Sequence, residues 1–151
     1  METGLELGRV TGRRPPFKYS ALNRVWFSDT DAQGVVYYGR YLPYFDHART
    51  EYHRHLGDVD LDGAEFVMRA LQVEYLAPAR FDDLIESFVR VSRIGRTSIT
   101  YEHAAYRLPD ETLMVEASQT LVLVDRTHRP TPVPEFFREM IRDFEGGDLA
   151  E

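Results

Sequence analysis

At 151 residues and 43% apolar, the chain is the size of one ordinary domain and has enough apolar side chains for a real core, which excludes wholesale disorder. Its net charge of −7 repels a polyanion such as DNA from the average surface, so no nucleic-acid partner is expected. The absence of cysteine removes disulfides, thiolate catalysis and cysteine-ligated zinc together, and fits a cytoplasmic protein.

In chain order, residues 1–20 mix Gly and Arg with the pair Pro15-Pro16, and read as a mobile arm without the apolar stretch of a signal peptide. No apolar run approaches the roughly 18 residues of a membrane span. Residues 22–28 alternate, Val25 and Phe27 against Arg24 and Trp26, which predicts a strand. Turn residues fill 29–34. A helix follows from near Tyr38 to Tyr41 as far as Leu56, because Leu42, Phe45, Arg49, Tyr52 and Leu56 recur three or four residues apart. Pro43 fits only its first turn, and Gly57 is a natural stop. Residues 58–63 read as a loop.

Four long strands are expected next, at 66–75, 84–94, 97–106 and 113–124, separated at Pro78, Gly95 and Pro109-Asp110. Pro130, Pro132 and Pro134 make a stiff extended link to a helix at 135–144, and 146–151 reads as a frayed acidic tail. The order implies one α+β domain over 21–145, a curved antiparallel sheet wrapped around a long central helix. One helix covers only part of one sheet face, so the uncovered edges predict oligomerisation.

The stretch with chemical content is Asp29-Thr30-Asp31-Ala32-Gln33-Gly34, at the join between the first strand and the long helix. A helix start offers unpaired backbone N–H groups and partial positive charge, which act as an oxyanion hole when aimed at a carbonyl. A nearby carboxylate can attack that carbonyl or activate a water. A thioester needs little more, since its thiolate leaves readily. The same spacing also fits a purely structural Asx turn or N-cap, and from the residues alone both readings stand.

The run Asp29-Thr30-Asp31-x-x-Gly34-Val35-Val36-Tyr37-Tyr38-x-x-Tyr41-Leu42, followed by Phe45-Asp46-x-Ala48-Arg49-x-Glu51, resembles the 4-hydroxybenzoyl-CoA thioesterase family, in particular its Tol-Pal-associated branch. The later runs from Val73 to Asp83 and Gly95-Arg96-Thr97-Ser98 are similar to that branch in the same order. The resemblance implies a hotdog fold and an acyl-CoA thioesterase that needs no cofactor or metal. It places the catalytic carboxylate on Asp31, the carbonyl-polarising N–H on Tyr38, and a tight approach at Gly34. It implies an acyl pocket among Val35, Val36, Tyr37, Tyr41, Phe45, Asp46 and Phe66. Coenzyme A would be held at Arg96, Thr97 and Ser98 of a neighbouring subunit, in homodimers that pair into homotetramers. Tyr38 stands where the Tol-Pal type often has histidine, and Phe66 where the hydroxybenzoyl type has threonine, which leaves the acyl group open.

Other clusters have plainer readings. His47, Glu51, His53 and His55 crowd the helix without a His-Glu-x-x-His pattern, and read as solvated or interface side chains. Among Tyr37, Tyr38, Tyr41, Tyr44 and Phe45, most are expected in the core or a dimer contact. Arg93, Arg126 and Arg129 are candidates for phosphate contact but read singly as surface residues. No nucleophile elbow or phosphate-binding glycine loop is present. Two alternatives to an enzyme are a non-catalytic acyl-CoA or acyl-carrier binder and an interaction partner in a cell-envelope complex.

Overall fold

The computed structural model describes residues 7–57 and 60–151. Residues 1–6 of the expected arm, and Asp58 and Val59 of the expected loop, lie outside the described residues. The elements are β1 (Gly8–Arg14), β2 (Phe17–Arg24), α1 (Tyr41–Leu56), β3 (Glu65–Tyr75), β4 (Leu84–Ile94), β5 (Ser98–Leu108), β6 (Thr112–Val124) and α2 (Glu135–Glu145). The strands form one antiparallel sheet in the order β1-β2-β4-β5-β6-β3. Register shifts at Met68/Ala70, Val91/Arg93 and Ala105/Tyr106 mark bulges, which add twist and let the sheet curve around α1.

The alternation of β4 to β6 sends Ile85, Val89, Val91, Tyr101, Ala105 and Val115 inward, where all are fully buried. Against them α1 lays Tyr41, Tyr44, Phe45, Ala48, Glu51 and Tyr52. This stripe is rotated by about one residue from the expected one, and Leu42 and Leu56 sit at its margins. Tyrosine explains the rotation: Tyr41, Tyr44 and Tyr52 each bury a ring while the hydroxyl finds a partner, which hydropathy alone undervalues. Two core clusters result. One gathers Tyr52, Ile94, Ile99, Tyr101 and the α2 residues Phe137 and Ile141. The other gathers Val25, Val36, Phe45, Ile85 and Met114 beneath the start of α1. Burying one such side chain fully stabilises the fold by about 1.5–3 kcal/mol.

The arm expected at 1–20 is corrected for its described part. β1 and β2 form a hairpin with Gly8 opposite Ala21 and Arg14 opposite Phe17. Its anchor is Glu86 on β4, buried, which accepts hydrogen bonds from Ser20 Oγ at 2.6 Å, Arg9 at 3.3 Å and Arg13. Arg14 lies 3.7 Å over the Tyr106 ring. These partners are far away in sequence, so the arginines read as solvated when viewed locally.

The expected tail at 146–151 is also docked. Ala150 donates to Ser92 O and accepts from the Ile94 N–H, both at 2.9 Å, and Glu151 accepts twice from Arg142 at 2.8 Å. The strand expected at 22–28 stops at Arg24. Val25 stays buried, but Trp26 and Phe27 turn outward into a 3₁₀ turn over Phe27–Asp29. No helix among the described residues is long and apolar enough to cross a membrane.

Candidate active site

The loop between β2 and α1 is held by its own backbone and by two aspartates that do different work. The Asp29 carboxylate accepts from the Trp26 N–H at 3.0 Å and the Tyr44 hydroxyl at 2.7 Å, and its carbonyl accepts from the Tyr37 N–H at 2.9 Å. Burial and the adjacent Asp29 carboxylate both push the Tyr44 hydroxyl up, so it stays a donor. Asp29 is therefore built into the structure.

Asp31 sits at the loop's tip. Its N–H donates to Val35 O at 2.9 Å, its carbonyl accepts from the Gly34 N–H at 3.0 Å, and among the described residues its carboxylate accepts only the Gln33 N–H, at 2.8 Å. Gly34 has φ +80°, a left-handed conformation that favours glycine and closes this turn. The Val36 N–H to Ala79 O bond, 2.8 Å, ties the loop to the segment after β3.

A 3₁₀ turn over Tyr38–Arg40 leads directly into α1. Its first closing bond runs from the Arg40 N–H to Tyr37 O at 2.8 Å, so the Tyr38 N–H precedes every internal bond of the helix. Asp31 and Tyr38 both line an open cleft of ≈ 350 Å³, with Val35, Val36 and Tyr41 on its walls. Gln33, Tyr75, Leu76, Ala77 and Pro78 complete it.

Of the expected site residues, five thus share one cleft. Gly34 shapes the turn, and Tyr37 packs on the Tyr38 ring at 4.3 Å. Phe45 lies apart, wholly buried with its ring 4.7 Å from His103, because it faces straight down into the sheet. Asp46 is on the outer side of α1, paired with Arg49 at 2.7 Å. Phe66 is near the far end of β3, in a second cleft of ≈ 340 Å³ with His53 and Phe137.

Arg96 and Thr97 form the β4–β5 turn, their carbonyls accepting from the Val133 N–H at 2.9 Å and the Leu123 N–H at 2.8 Å. Ser98, at the start of β5, is opposite Val122, whereas Tyr75 is opposite Val115 and Val115 opposite Ala105. From Ser98 to Ala105 along β5 is roughly 24 Å at the usual strand rise. A single chain therefore does not bring Arg96, Thr97 and Ser98 to the Asp31 cleft.

Two of the three helical histidines have separate partners, while the buried Nε2 of His47 has no hydrogen-bond partner among the described residues. His53 Nε2 meets the Tyr101 hydroxyl at 2.5 Å, His55 stacks on Tyr19 at 5.3 Å, and Glu51 pairs with Arg54. Gln33, Leu76, Ala77, Pro78 and Tyr75 line the cleft without having been expected there, and of these Tyr75 is the one that bonds to Tyr38. It lies inside the matched run from Val73 to Asp83 but reads there only as the end of a strand. No local pattern marks it, because its partner is the Tyr38 carbonyl, 37 residues away.

A curved antiparallel sheet around a central helix, with a carboxylate beside the helix start, defines a hotdog protein of the α+β class. The model of the thioesterase superfamily matches residues 33–114. An acyl-CoA thioester hydrolase of Escherichia coli, YbgC, is 38% identical over 106 residues, covering 68% of this chain and 78% of that protein. A thioesterase from Thermus thermophilus, solved with coenzyme A and zinc, superposes with a TM-score of 0.75 at 30% identity, covering 84% of this chain and 93% of that one. A thioesterase superfamily protein from a Jannaschia species gives 0.78 at 28% identity, with 88% and 86% covered. The chain belongs to the thioesterase superfamily.

Proposed function

We propose that the protein is an acyl-CoA thioesterase that hydrolyses its substrate to a free acid and coenzyme A. The observation that carries this reading is the shared cleft of Asp31 and the first residue of the helical turn, Tyr38, with apolar and aromatic walls to receive an acyl group. The E. coli relative's name supports the substrate class.

Two routes use the same groups. In one, an Asp31 oxygen adds to the thioester carbonyl carbon, the C–S bond breaks to release the thiolate, and water cleaves the resulting anhydride. In the other, Asp31 takes a proton from water as it adds to that carbon, and the thiolate leaves from the tetrahedral intermediate. In both, the Tyr38 N–H stabilises the oxyanion where negative charge develops. Water is the only co-reactant, so no cofactor or metal is required.

On this reading coenzyme A is held by Arg96, Thr97 and Ser98 of a second copy, a placement supported by their distance from the Asp31 cleft within one chain. The working unit is then a homodimer, pairing into a homotetramer, in the cytoplasm. Val67, Met68, Leu71 and Tyr75 lie partly exposed along the edge strand β3, where a second copy would cover them.

Steady-state hydrolysis of a panel of aromatic, short-chain and long-chain acyl-CoA thioesters tests the reading. Asp31→Asn should lower turnover by about two to four orders of magnitude. Asparagine keeps an oxygen that accepts the Gln33 N–H, so the turn and the melting temperature should persist. Tight binding of intact acyl-CoA with no turnover by the wild type would instead identify a binding protein.

A further inference from the structure

We infer that Tyr75 is a positioning residue for thioester hydrolysis: its hydroxyl fixes the Tyr38 backbone, and so aims the N–H that meets the oxyanion. This rests on the thioesterase reading above and goes beyond it, to a residue 37 positions away in sequence.

The turn that presents this N–H is short and weakly held by its own sequence. It has three residues, and its N-cap, Tyr37, makes no side-chain capping hydrogen bond. A 3₁₀ turn of this length has poorer hydrogen-bond geometry than an α-helix, and an uncapped start frays. Its orientation must come from outside.

Three contacts supply it. Tyr37 is anchored on one side by its N–H to Asp29 O, 2.9 Å. The peptide between Tyr37 and Tyr38 is held by the Arg40 N–H to Tyr37 O bond, 2.8 Å, which also polarises the Tyr38 N–H of the same peptide. On the other side the Tyr75 hydroxyl donates to Tyr38 O at 2.9 Å. Rotation of the Tyr38 carbonyl would turn the backbone about residue 38 and carry the N–H off its aim. Of the three contacts, only that of Tyr75 comes from a side chain and can be deleted without altering the backbone.

Tyr75 is itself firmly seated. It ends β3 opposite Val115, and the next two N–H groups, of Leu76 and Ala77, both donate to Met114 O, at 2.7 and 3.2 Å. Its ring packs against Tyr38 at 6.1 Å and Tyr41 at 5.9 Å. The hydroxyl is thus delivered from the rigid sheet to the mobile-prone start of the helix, across the wall of the cleft that holds Asp31.

The test is Tyr75→Phe, which keeps both ring contacts and removes only the hydroxyl. An oxyanion forms only after the carbonyl is attacked, so loss of aim should appear in kcat and not in substrate affinity. The expected result is a fall in kcat of about five- to tenfold, with KM within about twofold and melting lowered by no more than about a few degrees, as for the loss of one hydrogen bond. The backbone nitrogen of Gly39, in the same peptide as Tyr38 O, should shift in the NMR spectrum, because that carbonyl loses its donor. Tyr75→Leu, which also removes the ring wall, should raise KM as well. An active wild type with an equally active Tyr75→Phe overturns the role of Tyr75 and leaves the hydrolase reading intact. A rise in KM at constant kcat overturns it too, since that marks direct substrate contact. A wild type without turnover on any thioester sinks the hydrolase reading itself, and with it any role of Tyr75 in that reaction. An unmoved Gly39 signal would remove the tether whatever the activity.

Discussion

The Tyr44 hydroxyl donates to the Asp29 carboxylate at 2.7 Å, so the central helix grips the loop that carries Asp31. The same Asp29 oxygen receives the Trp26 N–H at 3.0 Å, which joins the end of β2, the loop and the helix at one atom. Tyr44→Phe removes one donor to a charged acceptor and should lower unfolding free energy by about 1.5–3 kcal/mol. Asp29→Ala should cost at least as much, because it leaves both donors without their partner. In urea titrations of both single variants and the double variant, the two losses should fall well short of adding. Full additivity would show that the contact contributes nothing to stability.

Much of this architecture is legible in local sequence. The period-two pattern of β4 and β5 and the 3.6-residue pattern of α1 follow from which faces must be buried, and the structure has them within a few residues. Gly34 and Gly57 mark their turns because only they take left-handed or open backbone cheaply there. What local sequence hides are bonds between distant polar residues. β1 looks like a solvated arm until Glu86 is placed beside Arg9, Arg13 and Ser20. The 146–151 segment looks frayed until Ala150 pairs beside Arg93. Likewise Asp29 and Asp31 are equivalent by spacing; the Tyr44 contact, set by the helix, is what separates them. Tyr75 was hidden for the same reason, since its partner is a backbone carbonyl.

Two histidines, His103 buried and His53 half-buried, should make the protein acid-labile. Burial holds His103 down at about 3, with the Gln119 contact opposing and Arg49 adding to the effect. Burial and Arg49 hold His53 down at about 4. Each is below the value near 6.5 of an unfolded chain, so the unfolded state binds more protons between these limits. The associated stability is complete above about pH 6.5 and is lost as pH falls toward 4 and then 3. Urea midpoints should decline from pH 7 to pH 4.5, and less steeply in His103→Gln or His53→Gln. Equal slopes in all three proteins would refute this source of acid lability.

Glu145 should act in the opposite direction. It is buried at the end of α2, where its carboxylate accepts the Tyr52 hydroxyl at 2.6 Å and the Val91 N–H at 3.0 Å, with Lys18 and Arg90 nearby. Burial outweighs these favourable neighbours and raises its pKa above the usual 4.5. A raised carboxyl contributes stability that is complete below the unfolded value and is lost as pH rises through the folded one. Glu145→Gln keeps an oxygen for Tyr52 and Val91 and removes the charge. It should therefore compare better with the wild type at pH 8 than at pH 4. The reverse order in thermal melts would show that the hydrogen bonds and nearby cations, not burial, dominate at this carboxyl.

The edge strand β3 should decide both assembly and activity. It pairs with β6 on one side only, and its other edge offers an eleven-residue row of backbone donors and acceptors beside partly exposed Val67, Met68 and Leu71. Pairing with a second β3 would satisfy that row and cover the apolar side chains. It would also bring a second chain, with its own Arg96, Thr97 and Ser98, into the same assembly as the Asp31 cleft. Light scattering should therefore find a dimer or tetramer, and Leu71→Lys should shift it toward smaller species. If coenzyme A is held across subunits, that variant should lose affinity for acyl-CoA in step with its loss of assembly, since the cleft within each chain is untouched. A wild type that is monomeric and fully active would refute the shared site. A Leu71→Lys monomer with unchanged KM would refute it equally, because Arg96, Thr97 and Ser98 could then have no part in holding the substrate.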